Sequence, residues 1–349
     1  MRVSPTSPPD APRMRARGGL ASRARLALLA VCAVAAVGCT TATAEGPDDA
    51  LFAAPPVSFR ELRTELLRRE PELALFEQAG PFKVEVRENV AIRLPGSVTL
   101  IVDVARPLRA SKAPLVIIAH GNHSHKEAHR YQAERLASFG MYVVAVQLPN
   151  TDQWVANGRL VGRLVRKLRA SPRLVGDDVD TDALILAGHS FGGSAVTLAA
   201  GAGAAVRGLI LLDPAVVADA VIPSMRRVRQ PVMLLGADRA VFRSRKRRAF
   251  GKNVAGEFGE VSVTGATHDD AQEPSMFALS ALGVDPYTSP EHQRLFTAAI
   301  AATAFSLGAT GKLDYAWTAL APLLRAGDLR DAHRRPARQT AARDQASAE

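Results

Sequence analysis

The chain has 349 residues, 47% hydrophobic and 22% charged, with 26 Gly and 22 Pro, an ordinary globular composition that excludes disordered, collagen-like and fibrous classes. Beyond the N-terminus it has no apolar stretch of about 20 residues and no long internal period, which excludes a polytopic membrane protein and a solenoid or propeller. The formal charge of +10 falls to +5 once the first 38 residues, with six arginines and Asp10, are set aside, leaving 38 basic and 33 acidic residues; with no zinc-finger spacing and no RNA-binding aromatic motif, no nucleic-acid partner is expected.

Residues 1–38 read as a signal peptide. The run LALLAVCAVAAVG, Leu26 to Gly38, follows arginines and precedes the polar stretch TTATAEGPDD, the pattern of an export signal. Met14 is a second candidate start that leaves a conventional short basic region. The segment Ala36-Val37-Gly38-Cys39 resembles the lipobox at which bacterial lipoproteins are cleaved and diacylated, which implies Cys39 as a lipid attachment site and a place in the bacterial cell envelope. The alternative is a soluble exported enzyme, periplasmic or secreted, with Cys39 unmodified or removed. Cys32 and Cys39 are the only cysteines, and Cys32 lies inside the apolar run, so the mature monomer is expected to hold no internal disulfide. Residues 39–57, rich in Thr, Ala and Pro, read as a flexible tether.

A helical segment is predicted around Ser58 to Gly80. Strands then follow at Phe82 to Arg87, Val98 to Ala105, Pro114 to Ala119, Met141 to Gln147, Ala183 to Ala187, Val206 to Leu212, Pro231 to Leu235 and Glu260 to Val263. Helices are predicted at Lys126 to Ser138, Gly158 to Ala170, Ser190 to Ala204, Arg243 to Ala255, Glu291 to Leu307 and Leu313 to Arg325. This alternation predicts an α/β fold with a mostly parallel eight-stranded sheet and helices on both faces, over residues 58–327. The charged, Ala-rich residues 328–349 read as a disordered tail.

The chemical motifs fall at strand ends, where ligands of such sheets sit. Gly188-His189-Ser190-Phe191-Gly192 fits Gly-x-Ser-x-Gly between a strand and an Ala-rich helix, which makes Ser190 the candidate nucleophile. A serine hydroxyl needs a base, and VTGATH places His268 just beyond the last predicted strand. Two aspartates could orient it: Asp213 ends the strand after the nucleophile helix and is preferred, and Asp238 ends the next one. The backbone N–H of Phe191 and that of Asn122, in the loop His120-Gly121-Asn122, are the candidate oxyanion donors. His120 itself reads as a hydrogen-bonded support. His120, His123, His125 and His129 form a cluster that reads as helix-start surface, and no metal is assigned to it.

VIIAHGN, ERLASFGMYVVAV, GHSFGG, LLDPA, PVMLLGAD and GATH, spread over about residues 82 to 306, resemble the α/β-hydrolases, and more narrowly the group of platelet-activating-factor acetylhydrolases, chlorophyllase-like esterases and cutinase-like polyester hydrolases. The resemblance implies carboxylic ester hydrolysis through an acyl-serine intermediate, without a metal or other cofactor, on a small-molecule or lipid ester. The acetylhydrolase pattern maps its acid onto Asp213. The cutinase-like pattern places the acid after the next strand in a segment like GAxxD, where this chain carries Ala240.

Two features have alternative readings. The basic run Arg243, Arg245, Lys246, Arg247 and Arg248, flanked by Phe242 and Phe250, reads as a solvated helix face or as a contact for anionic headgroups. Trp154 lines an acyl pocket or packs locally. The competing classes are a noncatalytic surface lipoprotein on the same scaffold and a thioesterase or peptidase with the same triad. Oligomeric state is not legible.

Overall fold

Among the described residues the apolar runs form the centre of one sheet of nine strands, with more polar strands at its edges. The computed structural model describes residues 58–149, 152–239, 245–274 and 288–338. The signal peptide, the tether, Cys39, Phe242 and Arg243 lie outside these residues.

The strands are β1 (Val84–Leu94), β2 (Val98–Pro107), β3 (Ala113–Ala119), β4 (Tyr142–Val146), β5 (Val179–His189), β6 (Gly208–Leu212), β7 (Val232–Ala237), β8 (Phe258–Val263) and β9 (Leu329–Arg335). Their order across the sheet is β1-β2-β4-β3-β5-β6-β7-β8-β9. The run from β4 to β8 is parallel, and β1, β2 and β9 close the edges antiparallel. β3, β4, β6 and β7 are buried along their whole length, which is why their sequences are continuous rather than alternating.

The helices are α1 (Phe59–Arg68), α2 (Ala74–Glu77), α3 (Arg130–Ser138), α4 (Trp154–Ala170), α5 (Phe191–Gly201), α6 (Val221–Arg227), α7 (Arg245–Asn253), α8 (Pro290–Thr310) and α9 (Asp314–Ala326). α4, α5, α6 and α7 touch in series on one face, while α8 packs with α2, α3 and α9 on the other. Local chemistry sets several ends. Ser58 caps α1 by accepting from the Glu61 N–H at 3.2 Å, and the helix buries Phe59, Leu62 and Leu66. The single helix predicted over Ser58 to Gly80 is instead two: α1 ends where Arg69 turns extended, two residues before Pro71, which lacks an N–H to continue the helix. α8 carries Pro290 at its first position and stops at Gly311 with φ 69°, the usual asymmetry of helix ends.

The expectation of a disordered tail from 328 is corrected over Leu329–Arg335, and with it the count of eight strands. LRDAHRR carries one buried apolar residue, Leu329, so it has no hydrophobic signature. It is held by backbone pairing with the edge of β8 and by its arginines. Arg334 pairs with Asp314 at 2.5 Å and Glu257 at 3.1 Å, and Arg335 lies 6.0 Å from the Phe258 ring centre. A charged edge strand of this kind closes a sheet without inviting further strands.

Candidate active site

β5 runs through Gly188 and His189 and stops at Ser190, whose φ of 52° and ψ of −120° turn the chain directly into α5. Such a conformation in a non-glycine residue stores strain of about 1–3 kcal/mol and is held only by its surroundings. Three backbone bonds hold it: Ser190 N–H to the Leu212 carbonyl at 3.0 Å, and the Ser190 carbonyl to the N–H groups of Gly193 and Ala215 at 3.1 Å each. A Cβ on Gly192 would stand 2.3 Å from the Ala119 carbonyl oxygen, so a side chain there would push the turn off β3.

The loop after β3 passes beside this turn. A Cβ on Gly121 would lie 2.9 Å from the Ser190 Cβ, which puts the backbone of Gly121 and Asn122 next to the serine. His120 fixes this loop: its Nδ1 donates to the Gly121 carbonyl at 2.7 Å, while its Nε2 accepts from the Leu148 N–H at 3.0 Å and faces the Gln147 amide at 3.1 Å. Burial pushes its pKa below the ordinary value. The Asn122 Oδ1 is buried and has no hydrogen-bond partner among the described residues. Phe191 is the first residue of α5, where N–H groups have no carbonyl of their own helix to meet. Trp154 opens α4, four residues ahead of the predicted start, and packs edge-on against Phe191 with ring centres 5.4 Å apart.

Asp213 directly follows β6 at φ 37° and is buried. Its Oδ2 lies 2.6 Å from His268 Nδ1. A carboxylate only accepts, so Nδ1 is the donor of this bond. His268 is the first residue of a short 3-10 helix after β8, whose start is capped reciprocally by Thr267 and Asp270. Of the two candidate acids, then, Asp213 meets the histidine. Asp238 is turned elsewhere: its Oδ2 accepts from the Gly265 N–H at 3.3 Å and lies 3.1 Å from Arg330 of β9.

Two buried imidazoles lie behind the pair. His189, the variable residue of the serine motif, stacks at 4.5 Å between ring centres on His268 and donates its Nε2–H to the His268 carbonyl at 3.1 Å. Burial, followed by the nearby His268 and His129, holds its pKa well below the ordinary value. His129, 6.1 Å from His189, is pushed down to about 4 by burial. Both are neutral walls. In the predicted surface cluster, His123 and His125 are exposed while His120 and His129 are buried. No group of three or more metal-binding side chains converges among the described residues.

Arg247, expected on a solvated or headgroup-binding face, is buried. Its guanidinium bonds Asp213 Oδ1 at 3.2 Å, the Ala237 carbonyl at 3.0 Å, Glu260 Oε1 at 3.1 Å and Ser262 Oγ at 2.6 Å. Phe250, a turn further on, belongs to the core. Glu260 in the middle of the apolar strand FGEVSV was the available signal, since a carboxylate largely withdrawn from water calls for a cation. Burial raises its pKa above the usual carboxylate range.

With the sheet order, the turn at Ser190 and the Asp213–His268 pair established, the alpha/beta hydrolase family model matches residues 115–344. The chain belongs to the alpha/beta hydrolase family and is a hydrolase. No curated protein matches it significantly. Among the described residues no helix is long and apolar enough to cross a membrane.

Proposed function

We propose that the protein is an exported serine hydrolase that cleaves carboxylic esters through an acyl-serine intermediate. The observation that carries this reading is the strained Ser190 turn beside a buried Asp213–His268 pair 2.6 Å apart, on the carboxyl ends of β5, β6 and β8. His268 Nε2 takes the proton of Ser190 as its oxygen attacks the ester carbonyl, and Asp213 holds the tautomer and stabilises the imidazolium. The N–H groups of Phe191 and Asn122 receive the oxyanion, each contributing about 3 kcal/mol in sites of this kind. Collapse expels the alcohol, which takes the proton from His268. Water, deprotonated by the same imidazole, then attacks the acyl-serine carbonyl; collapse releases the acid and returns the proton to Ser190.

The substrate class is a small-molecule or lipid ester. A groove of about 330 Å³ lined by Asp152, Gln153, Trp154, Val155, Arg159 and Val217 adjoins the Phe191 side of the turn through Trp154 and offers a mixed polar and apolar surface to a substrate. The acid after the strand that follows the nucleophile helix supports the acetylhydrolase-like pattern over the cutinase-like one. Export rests on the N-terminal signal, and membrane association on lipidation of Cys39. The test is turnover of p-nitrophenyl esters of increasing acyl length by the mature protein. Hydrolysis lost in Ser190→Ala supports the reading; hydrolysis that persists in Ser190→Ala contradicts it.

A further inference from the structure

Asp213 is gripped from the side opposite His268. Its Oδ1 accepts from the Ala237 N–H at 3.1 Å and from Arg247 Nη1 at 3.2 Å, which leaves Oδ2 directed at His268 Nδ1. The guanidinium is itself fixed by acceptors on β7 and β8: the Ala237 carbonyl, Ser262 Oγ and Glu260 Oε1. Room for it is built into the sheet, because a Cβ on Gly236 would lie 2.3 Å from Arg247 Nη1. A planar guanidinium presents its donors in a rigid fork. A carboxylate held by one backbone N–H can still rotate about its Cβ–Cγ bond, and a second donor in a fixed plane removes that freedom.

We propose that Arg247 is a positioning residue for the reaction: by clamping Asp213 Oδ1 it sets the rotation of the carboxylate and thereby the aim of His268. The inference rests on the serine-hydrolase reading. It differs from a merely structural role, in which Arg247 would only tie α7 to β7 and β8 and its loss would act independently of Asp213.

The experiment measures kcat, KM and thermal unfolding for Arg247→Lys, for Arg247→Met with Glu260→Gln so that Glu260 is not left as a carboxylate without its cation, and for each of these in an Asp213→Asn background. In the folded variants kcat falls roughly ten- to a hundredfold with KM within about threefold. In the Asp213→Asn background the same changes cost less than about twofold more, the non-additivity of residues that act as a unit. Unchanged kcat in the folded variants, or an equal loss in both backgrounds, overturns the proposal. Ser262→Ala guards against misfolding of the arginine variants. It removes the 2.6 Å tether of the guanidinium without touching Asp213 or His268; a severalfold fall in kcat supports the clamp and unchanged kcat contradicts it. Turnover that depends on Ser190 but ignores Arg247 overturns this inference alone. A folded wild type without Ser190-dependent turnover overturns both it and the reading beneath it.

Discussion

Ser190, Asp213 and His268 each end a strand or follow one, and two of them, Ser190 and Asp213, hold positive φ angles of 52° and 37°. Backbone in that region is kept where the surroundings demand it. Asp213→Asn lowers kcat on an ester by about 10⁴-fold, because an amide in place of the carboxylate favours the wrong imidazole tautomer. Asp238→Asn, a partner of Gly265 and Arg330, changes kcat by less than about threefold, as a residue outside the reacting set should. Steady-state kinetics on the two variants checks both, and a silent Asp213→Asn contradicts the assignment.

His129 has a second, separable effect at this scale. Burial pushes its pKa down to about 4 from the ordinary histidine value of about 6.5, so at pH values between these the unfolded chain binds a proton that the folded one does not. Its contribution is therefore fully present above about pH 6.5 and is lost as the pH falls toward 4, in all about 3 kcal/mol. Urea unfolding at pH 7 and pH 4.5 measures this: the wild type loses stability on acidification, and His129→Asn loses less. An identical pH slope in the variant contradicts the account.

At the scale of elements, the strand-turn-helix around Ser190 was legible because each of its demands is local, a buried strand, glycines at the close approaches and a small-residue helix behind. His268 was legible as a histidine beyond the last parallel strand, whereas Asp213 and Asp238 both read as aspartates at strand ends, and which of them lies against the histidine is a tertiary fact. Arg247 was not, because helix periodicity in a run of five basic residues does not reveal that one of them is buried against Glu260, a neighbour 13 positions away on β8. β9 was not legible either. Its side chains are mostly exposed and charged, and its strand state comes from the unpaired edge of β8, a tertiary fact. A chain ending at Asp328 removes β9 and exposes that edge. It unfolds several degrees lower, on the order of 2 kcal/mol for the lost ladder and the burial of Leu329, and aggregates more readily. Calorimetry and light scattering read both effects, and an unchanged melting temperature would show that β9 contributes nothing to the fold.

For the molecule as a whole, the parallel sheet gathers the ends of β3, β5, β6, β7 and β8 at one margin, so residues from positions 121 to 268 meet without any one segment carrying the site. If residues 1–38 are the proposed export signal and Cys39 carries the lipid, the attachment point is distinct in sequence from Ser190, Asp213 and His268, and anchoring and catalysis are expected to be separable. Cys39→Ala is predicted to release the protein from the membrane fraction and to abolish incorporation of labelled palmitate while leaving ester turnover intact. Retention of the label in that variant contradicts Cys39 as the lipidated residue.

The central claim is that Ser190 is the nucleophile of a serine hydrolase, and covalent labelling of the mature protein with a fluorophosphonate, followed by peptide mapping, tests it most directly. The account predicts stoichiometric modification at Ser190, absent in Ser190→Ala and strongly slowed in Asp213→Asn. A folded wild type that takes up no label, or takes it up at another residue, would contradict it.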